Sequence, residues 1–154
     1  MIYITRRERF NAAHMLRNEK WSDKKNIEVF GKCANQNWHG HNFELFVTVK
    51  GEVNEDTGFV VNLKDLASVI QNKVIEKLDH KNLNLDVDFM RGKMASTEVL
   101  AIAIWEELES DINQLGAALH LVKVQETENN FVEYFGKLIT CQDIKKKKAI
   151  KQTL

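Results

Sequence analysis

Between Trp38 and Gly51 the chain reads WHGHNFELFVTVKG, and every second residue from His39 joins one set: His39, His41, Phe43, Leu45, Val47 and Val49. Successive side chains of a strand point to opposite faces. The stretch therefore predicts a long β-strand whose apolar face is headed by two imidazoles, with Asn42, Glu44, Thr48 and Lys50 on the other face. Residues 2–13 predict a strand before it. LHLVKVQET and FVEYFGKL predict two more after it, joined by a turn at Asn129-Asn130.

In the middle of the chain the period changes. From Asn62, a plausible N-cap, Leu66, Ile70, Val74 and Leu78 recur every fourth residue, with Leu63 and Ala67 widening the stripe. A second helix is predicted from Ser96 or Thr97 to about Ser110, with Leu100, Ile104 and Leu108 on one side. The segment up to about Cys33 is rich in Lys, Asn, Asp and Ser and predicts a loop. The order is thus strand, strand, helix, helix, strand, strand. Such segregation argues an α+β fold, a four-stranded antiparallel sheet with two helices on one face. Two open sheet edges call for cover or pairing, so oligomerisation through strand edges is expected.

A length of 154 residues fits one domain, taken as residues 1–140, followed by a basic, solvated tail over 141–154. The 22 basic and 22 acidic residues balance, which argues against a general nucleic-acid binder. The sequence has no apolar run suited to a signal peptide or a membrane span, so a cytoplasmic location is expected, with Cys33 and Cys141 as reduced thiols.

His39 and His41, two apart on one strand face, can direct their rings to one point. His14, in FNAAH, closes the first strand, and antiparallel pairing of the two strands brings it near His39. Three neutral imidazoles with an open fourth position suit a catalytic zinc ion. The alternative is three hydrogen-bonded histidines at strand ends. Cys33 has three possible fates: fourth ligand of a structural Cys-His₃ site, reactive thiolate beside the metal, or packed core thiol. His120, on a strand with Val122 and Val124, reads as structural.

Cys33 followed after five residues by His39-Gly40-His41, the upstream FNAAH, and the downstream LDHKNL and VQETENN together resemble the 6-pyruvoyl-tetrahydropterin synthase family, from about residue 3 to residue 136. Related 6-carboxy-tetrahydropterin synthases typically place three residues between the cysteine and HGH, so the five here point to the pyruvoyl branch. The resemblance implies the tunnelling fold, assembled as a homo-hexamer of two trimers whose sheets close into barrels. It implies Zn²⁺ on His14, His39 and His41, catalytic roles for Cys33, Asp79 and His80, and a pterin held by Glu126 and Thr97. The implied substrate is a small molecule, 7,8-dihydroneopterin triphosphate, and neither nucleic acid nor membrane is an expected partner. A 6-carboxy-type activity and a non-catalytic, zinc-stabilised interaction module are the alternatives. Trp38 and Gln36 depart from the family pattern, where a small residue and proline are usual, and alternation should turn Trp38 away from His39. Arg7, Arg9, Lys24, Lys25 and Lys32 are candidates for the triphosphate, with nothing in the sequence to rank them.

Overall fold

The computed structural model describes residues 1–137; the basic tail and Cys141 lie outside the described residues. The two long strands form as their alternation predicts. β1 (Ile2–His14) and β2 (His39–Gly51) run antiparallel in unbroken register from Ile2 opposite Gly51 to His14 opposite His39. β4 (Ala118–Gln125) pairs with the other side of β2, and β5 (Phe131–Tyr134) pairs with β4, both antiparallel.

Among the described residues the sheet has five strands, not four, and is mixed rather than wholly antiparallel. β3 (Lys81–Asn82) runs parallel to β1 at the sheet edge, in the order β3-β1-β2-β4-β5. Two residues carry no alternation to read. Hydrogen bonds to β1 define β3: His80 N–H donates to the Asn11 carbonyl at 2.6 Å and Leu83 N–H to that of Ala13 at 2.8 Å.

Helix count also exceeds the expectation of two. The segment read as a polar loop contains α1 (Asp23–Phe30) and a short 3-10 turn, Gly31–Ala34. Ser22 caps α1, its hydroxyl accepting Lys25 N–H at 3.2 Å. The only buried residue of α1 is Asn26, whose amide nitrogen donates to the carbonyls of Asn18, Trp21 and Ser22. A helix anchored by a buried amide carries no apolar stripe, hence its invisibility to a hydrophobic pattern.

α2 (Leu63–Ile70) starts at the predicted cap, Asn62, whose side chain accepts Lys64 N–H at 2.9 Å. It continues through a π-helical stretch, Gln71–Ile75, and a final turn, Glu76–Leu78. At 3.6 residues per turn, residues four apart rotate by roughly 40° per step. The wider π turn absorbs that drift, so Leu66, Ile70, Val74 and Leu78 all stay on the core side and are fully buried. α3 (Thr97–Gln114) outruns its predicted end because Ile112 is buried too. Leu100, Ile104 and Leu108 pack with Phe43, Leu45, Val47, Val122 and Val124 in one core. Truncating any of these fully buried leucines or isoleucines to alanine costs about 2–5 kcal/mol.

One side chain lies on the opposite face from that expected. The register of β4 on β2 shifts between Thr48 and Val49, which pair with Leu121 and Leu119 and leave His120 between them. An extra residue of this kind inverts the alternation. The His120 ring accordingly sits 4.6 Å from Tyr3 and 5.9 Å from Phe135, away from the buried Val122 and Val124. Among the described residues, no helix is long and apolar enough to cross a membrane.

Candidate metal centre and adjoining cavity

The site grows from the end of the β1–β2 ladder. Because His14 faces His39 in register and His41 follows on the same face, the three rings meet, with centroids 4.5, 5.2 and 5.1 Å apart. One nitrogen from each lies within 4.8 Å of the others, so the set can hold a metal ion. Gly40 separates the two β2 histidines on the opposite face. A Cβ there would stand 3.0 Å from the Ala12 carbonyl oxygen, so a side chain would have to push the neighbouring strand aside by a few tenths of an ångström.

The donor chemistry fits a metal. His14 is 2% exposed, and its Nδ1 lies 2.8 Å from the Ala95 carbonyl oxygen. A carbonyl only accepts, so Nδ1 carries the proton and Nε2 presents a lone pair. This backbone partner sets the tautomer as outer-shell groups commonly do for metal-bound histidines. His14 Nε2 and His39 Nδ1 are both buried without a hydrogen-bond partner, and buried polar atoms in that condition call for an explanation such as an ion. Burial is the foremost cause lowering the affinity of all three imidazoles for protons, against the raising effect of Glu126. The rings are thereby biased to the neutral form that a cation needs.

A cavity of about 450 Å³ adjoins the centre, and His14, Cys33, Thr97, Glu126 and Asn130 are among its walls. Cys33 reaches it from the 3-10 turn after α1, placed by its own carbonyl, which accepts Leu16 N–H at 2.8 Å. The half-buried thiol is not a member of the three-histidine cluster. Glu126 follows β4 directly, and its Oε1 stands 3.6 Å from His14 Nε2 and 3.8 Å from His41 Nε2. Thr97, the first residue of α3, donates its hydroxyl to that oxygen at 2.9 Å.

Asp79 and His80 are elsewhere. Asp79 lines a separate cavity with Arg9, Asn11 and Asn42. The Asn11 backbone N–H donates to Asp79 Oδ1 at 2.8 Å, and this bond is the largest cause holding the Asp79 carboxyl below its ordinary range. His80 Nδ1 lies 3.0 Å from Asp79 Oδ2, and its side chain is 81% exposed. His80 has a left-handed backbone, φ 59°. The dyad is formed and presented to solvent, but it is not on the wall that carries Cys33.

Trp38 also has a left-handed backbone, φ 65°, and its side chain lines a further cavity with Arg17, Lys93 and Met94. Among the candidate phosphate cations, Arg7 and Arg9 both pair with Glu44, and Lys25 pairs with Glu28. Two contributors escaped the sequence reading, the Ala95 carbonyl and the Asn11 backbone. Both act through the main chain, which has no residue-type signal.

Residues 3–137 match the family described as 6-pyruvoyl tetrahydropterin synthase. The chain is 44% identical over 135 residues to 6-pyruvoyl tetrahydrobiopterin synthase of Dictyostelium discoideum, covering 88% of this chain and 96% of that protein. It is 43% identical over 133 residues to the Homo sapiens protein of the same name, covering 86% and 90%. The solved structure of Caenorhabditis elegans 6-pyruvoyl tetrahydropterin synthase superposes with a TM-score of 0.83 at 38% identity, covering 88% of this chain and 96% of that one.

Proposed function

The chain belongs to the 6-pyruvoyl tetrahydropterin synthase family, and from that premise we propose that it converts 7,8-dihydroneopterin triphosphate to 6-pyruvoyl-tetrahydropterin, releasing triphosphate with zinc as cofactor. As a member of the family it is a lyase, a pterin synthase of the tetrahydrobiopterin type. The observation that carries the finer reading is the convergence of three imidazoles within 4.8 Å beside a cavity walled by Cys33 and Glu126.

The reaction moves hydrogens from the side-chain carbons to the ring and expels triphosphate, with no nicotinamide. His14, His39 and His41 would hold zinc, which when bound supplies Lewis acidity toward the substrate's side-chain hydroxyls. The remaining work falls to the chain's own groups. Glu126 accepts two parallel N–H bonds from the 2-amino and ring N–H edge of the pterin, as a carboxylate accepts an arginine fork. Thr97 holds that carboxylate in place. Cys33 removes a proton from the side-chain carbon it faces. His80, oriented by Asp79, handles the proton on the opposite face.

That last role needs a second copy, since the dyad lines a different part of the surface from Cys33. A homo-hexamer of two trimers, in the cytoplasm, with residues 1–140 as one domain, completes the reading. Among the described residues, most of the β1 edge and the short β5 edge have no strand partner, since β3 pairs with β1 only at Ala12 and Ala13, and such edges suit assembly.

The deciding experiment is mass analysis of products after anaerobic incubation of the zinc-loaded protein with 7,8-dihydroneopterin triphosphate. The pyruvoyl product with triphosphate is expected. A 6-carboxy product with acetaldehyde would overturn the assignment in favour of the other branch of the fold.

A further inference from the structure

The cavity beside the histidines has a wall at odds with one end of its substrate. Besides His14 and Cys33, its ionisable lining is Glu98 and Glu126, with no lysine or arginine among the described residues. Those acids suit the N–H edge of a pterin and repel a triphosphate. None of Arg7, Arg9, Lys24, Lys25 and Lys32 lines it. The phosphates need a cationic surface within reach of the same cavity.

The cavity that holds Trp38, of about 520 Å³, supplies one across a shared partition. The chain leaving β1 forms that partition. His14 and Leu16 line the first cavity, whereas Met15 and Arg17 line the second. Asn84 holds the segment from one side, its amide accepting Met15 N–H and donating to the Met15 carbonyl, both at 3.0 Å. Leu16 N–H donates to the Cys33 carbonyl at 2.8 Å. The loop before α3 divides in the same way, with Lys93 and Met94 on the second cavity and Ser96 and Thr97 on the first. Trp38 directly precedes His39, and left-handed backbone of the kind it adopts clusters at ligand-binding sites. Neighbouring strands lie about 4.8 Å apart, and a three-carbon side chain carrying three phosphates is longer than that.

Charge sets the Trp38 cavity apart. Arg17, Lys20 and Lys93 stand against one acid, Glu19, on its wall. The cavity around Asp79 holds Arg9 against Glu44 and Asp79, and the one around Lys77 holds two lysines against three acids. Arg17 is anchored by Asp23 at 2.6 Å and Lys93 contacts Glu106 at 3.3 Å, while Lys20 has no ion pair among the described residues.

We propose that the Trp38 cavity is the triphosphate subsite: the pterin ring and its side chain occupy the cavity beside the histidines, and the phosphates pass the partition and end among Arg17, Lys20 and Lys93. This rests on the substrate reading above and gives each end of that molecule its own wall, acidic for the ring and basic for the phosphates. Expelled triphosphate then leaves by its own mouth without crossing the ring site.

The test uses the full-length, zinc-loaded protein and two probes, inorganic triphosphate and a pterin without a side chain, with binding read by titration calorimetry. Lys20→Glu/Lys93→Glu is expected to bind inorganic triphosphate at least about 10-fold more weakly, since two charge-assisted contacts are lost. Its KM for the triphosphate substrate should rise by a similar factor with kcat nearly unchanged, and its affinity for the side-chain-free pterin should stay at the wild-type value. Lys20→Arg/Lys93→Arg, which keeps both charges, should retain triphosphate binding. Lys24→Glu/Lys25→Glu, on lysines that line neither cavity, should retain it too. Should the double glutamate variant fold poorly, Lys20→Ala/Lys93→Ala decides by the same measurements. Triphosphate affinity unchanged in the Lys20 and Lys93 variants, or lost equally in the Lys24 and Lys25 variant, overturns the proposal. If pyruvoyl product still forms in that case, only the subsite is lost. If triphosphate binds as expected but no product forms, the anion site stands and the assigned reaction does not.

Discussion

The hydroxyl of Thr97 donates to Glu126 Oε1 across 2.9 Å, tying the first turn of α3 to the residue that follows β4. If this bond orients the pterin anchor, Thr97→Val raises KM for the pterin substrate by at least about 10-fold, since a hydrogen bond to a charged acceptor contributes about 1.5–3 kcal/mol, and leaves kcat nearly unchanged. Thr97→Ser restores wild-type KM. Steady-state kinetics of the three proteins decide it, and an unchanged KM in Thr97→Val would remove the role.

Cys33 stands on the cavity wall outside the histidine cluster. Cys33→Ala is therefore expected to keep one zinc per chain and the wild-type unfolding curve while losing about 10²–10⁴-fold in kcat. Loss of zinc in this variant, measured by atomic emission, would return the thiol to the metal shell.

Chelation should soften the fold without abolishing it. The core of α2, α3 and the sheet closes without a metal ligand in it. At metal concentrations about 100-fold above Kd, binding contributes roughly 2.7 kcal/mol, a change of about 5–10 °C in Tm. A cooperative transition that persists at the lower temperature is expected in calorimetry of the metal-free protein. Complete unfolding on chelation would favour a zinc-nucleated module.

The Asp79 carboxyl is held below its ordinary value, 3.8, first by the Asn11 N–H and further by His80. A carboxylate with a depressed pKa stabilises the fold above its unfolded pKa and ceases to as pH falls through the folded value. Asp79→Asn should accordingly be the less stable protein at pH 7, with the difference shrinking as pH drops below about 4. The side chain is 40% exposed, so the effect is modest. Denaturant curves at pH 7 and pH 3 would show it, and a gap that does not depend on pH would contradict it.

Trp38 at φ 65° carries a side chain where glycine is preferred. Trp38→Ala keeps the strain and loses the indole, whereas Trp38→Gly loses both. The glycine variant should be more stable than the alanine variant by about 1 kcal/mol, as read from urea unfolding midpoints. Equal midpoints would mean that the turn relaxes when the indole is removed.

The elements that read correctly from sequence were those whose burial repeats at a fixed interval. β2 announces itself because its alternate residues from Phe43 to Val49 are all core, and the histidine trio follows from extending that alternation to its end. α1 did not, because its single buried side chain is polar, and β3 did not, because two residues have no period. His120 was misplaced for a third reason. A register shift is a property of the pair of strands and leaves no mark on either alone. Cys33 and Glu126 meet across one cavity through folding of segments far apart in sequence, which spacing could suggest only by likeness to a family.

The pairing of His14 with His39 has a consequence for which parts of this chain can change length. A single deletion inside β1 or β2 would turn one strand over relative to the other and carry its imidazoles to the far side of the sheet, leaving the core largely foldable but the donor set scattered. Residues 15–38 lie outside that ladder, so insertions there lengthen an excursion without moving the histidines. The stretch from Cys33 to Trp38 belongs to this permissive region, and its length can therefore be tuned to place the thiol against substrates of different reach while the histidine scaffold stays the same.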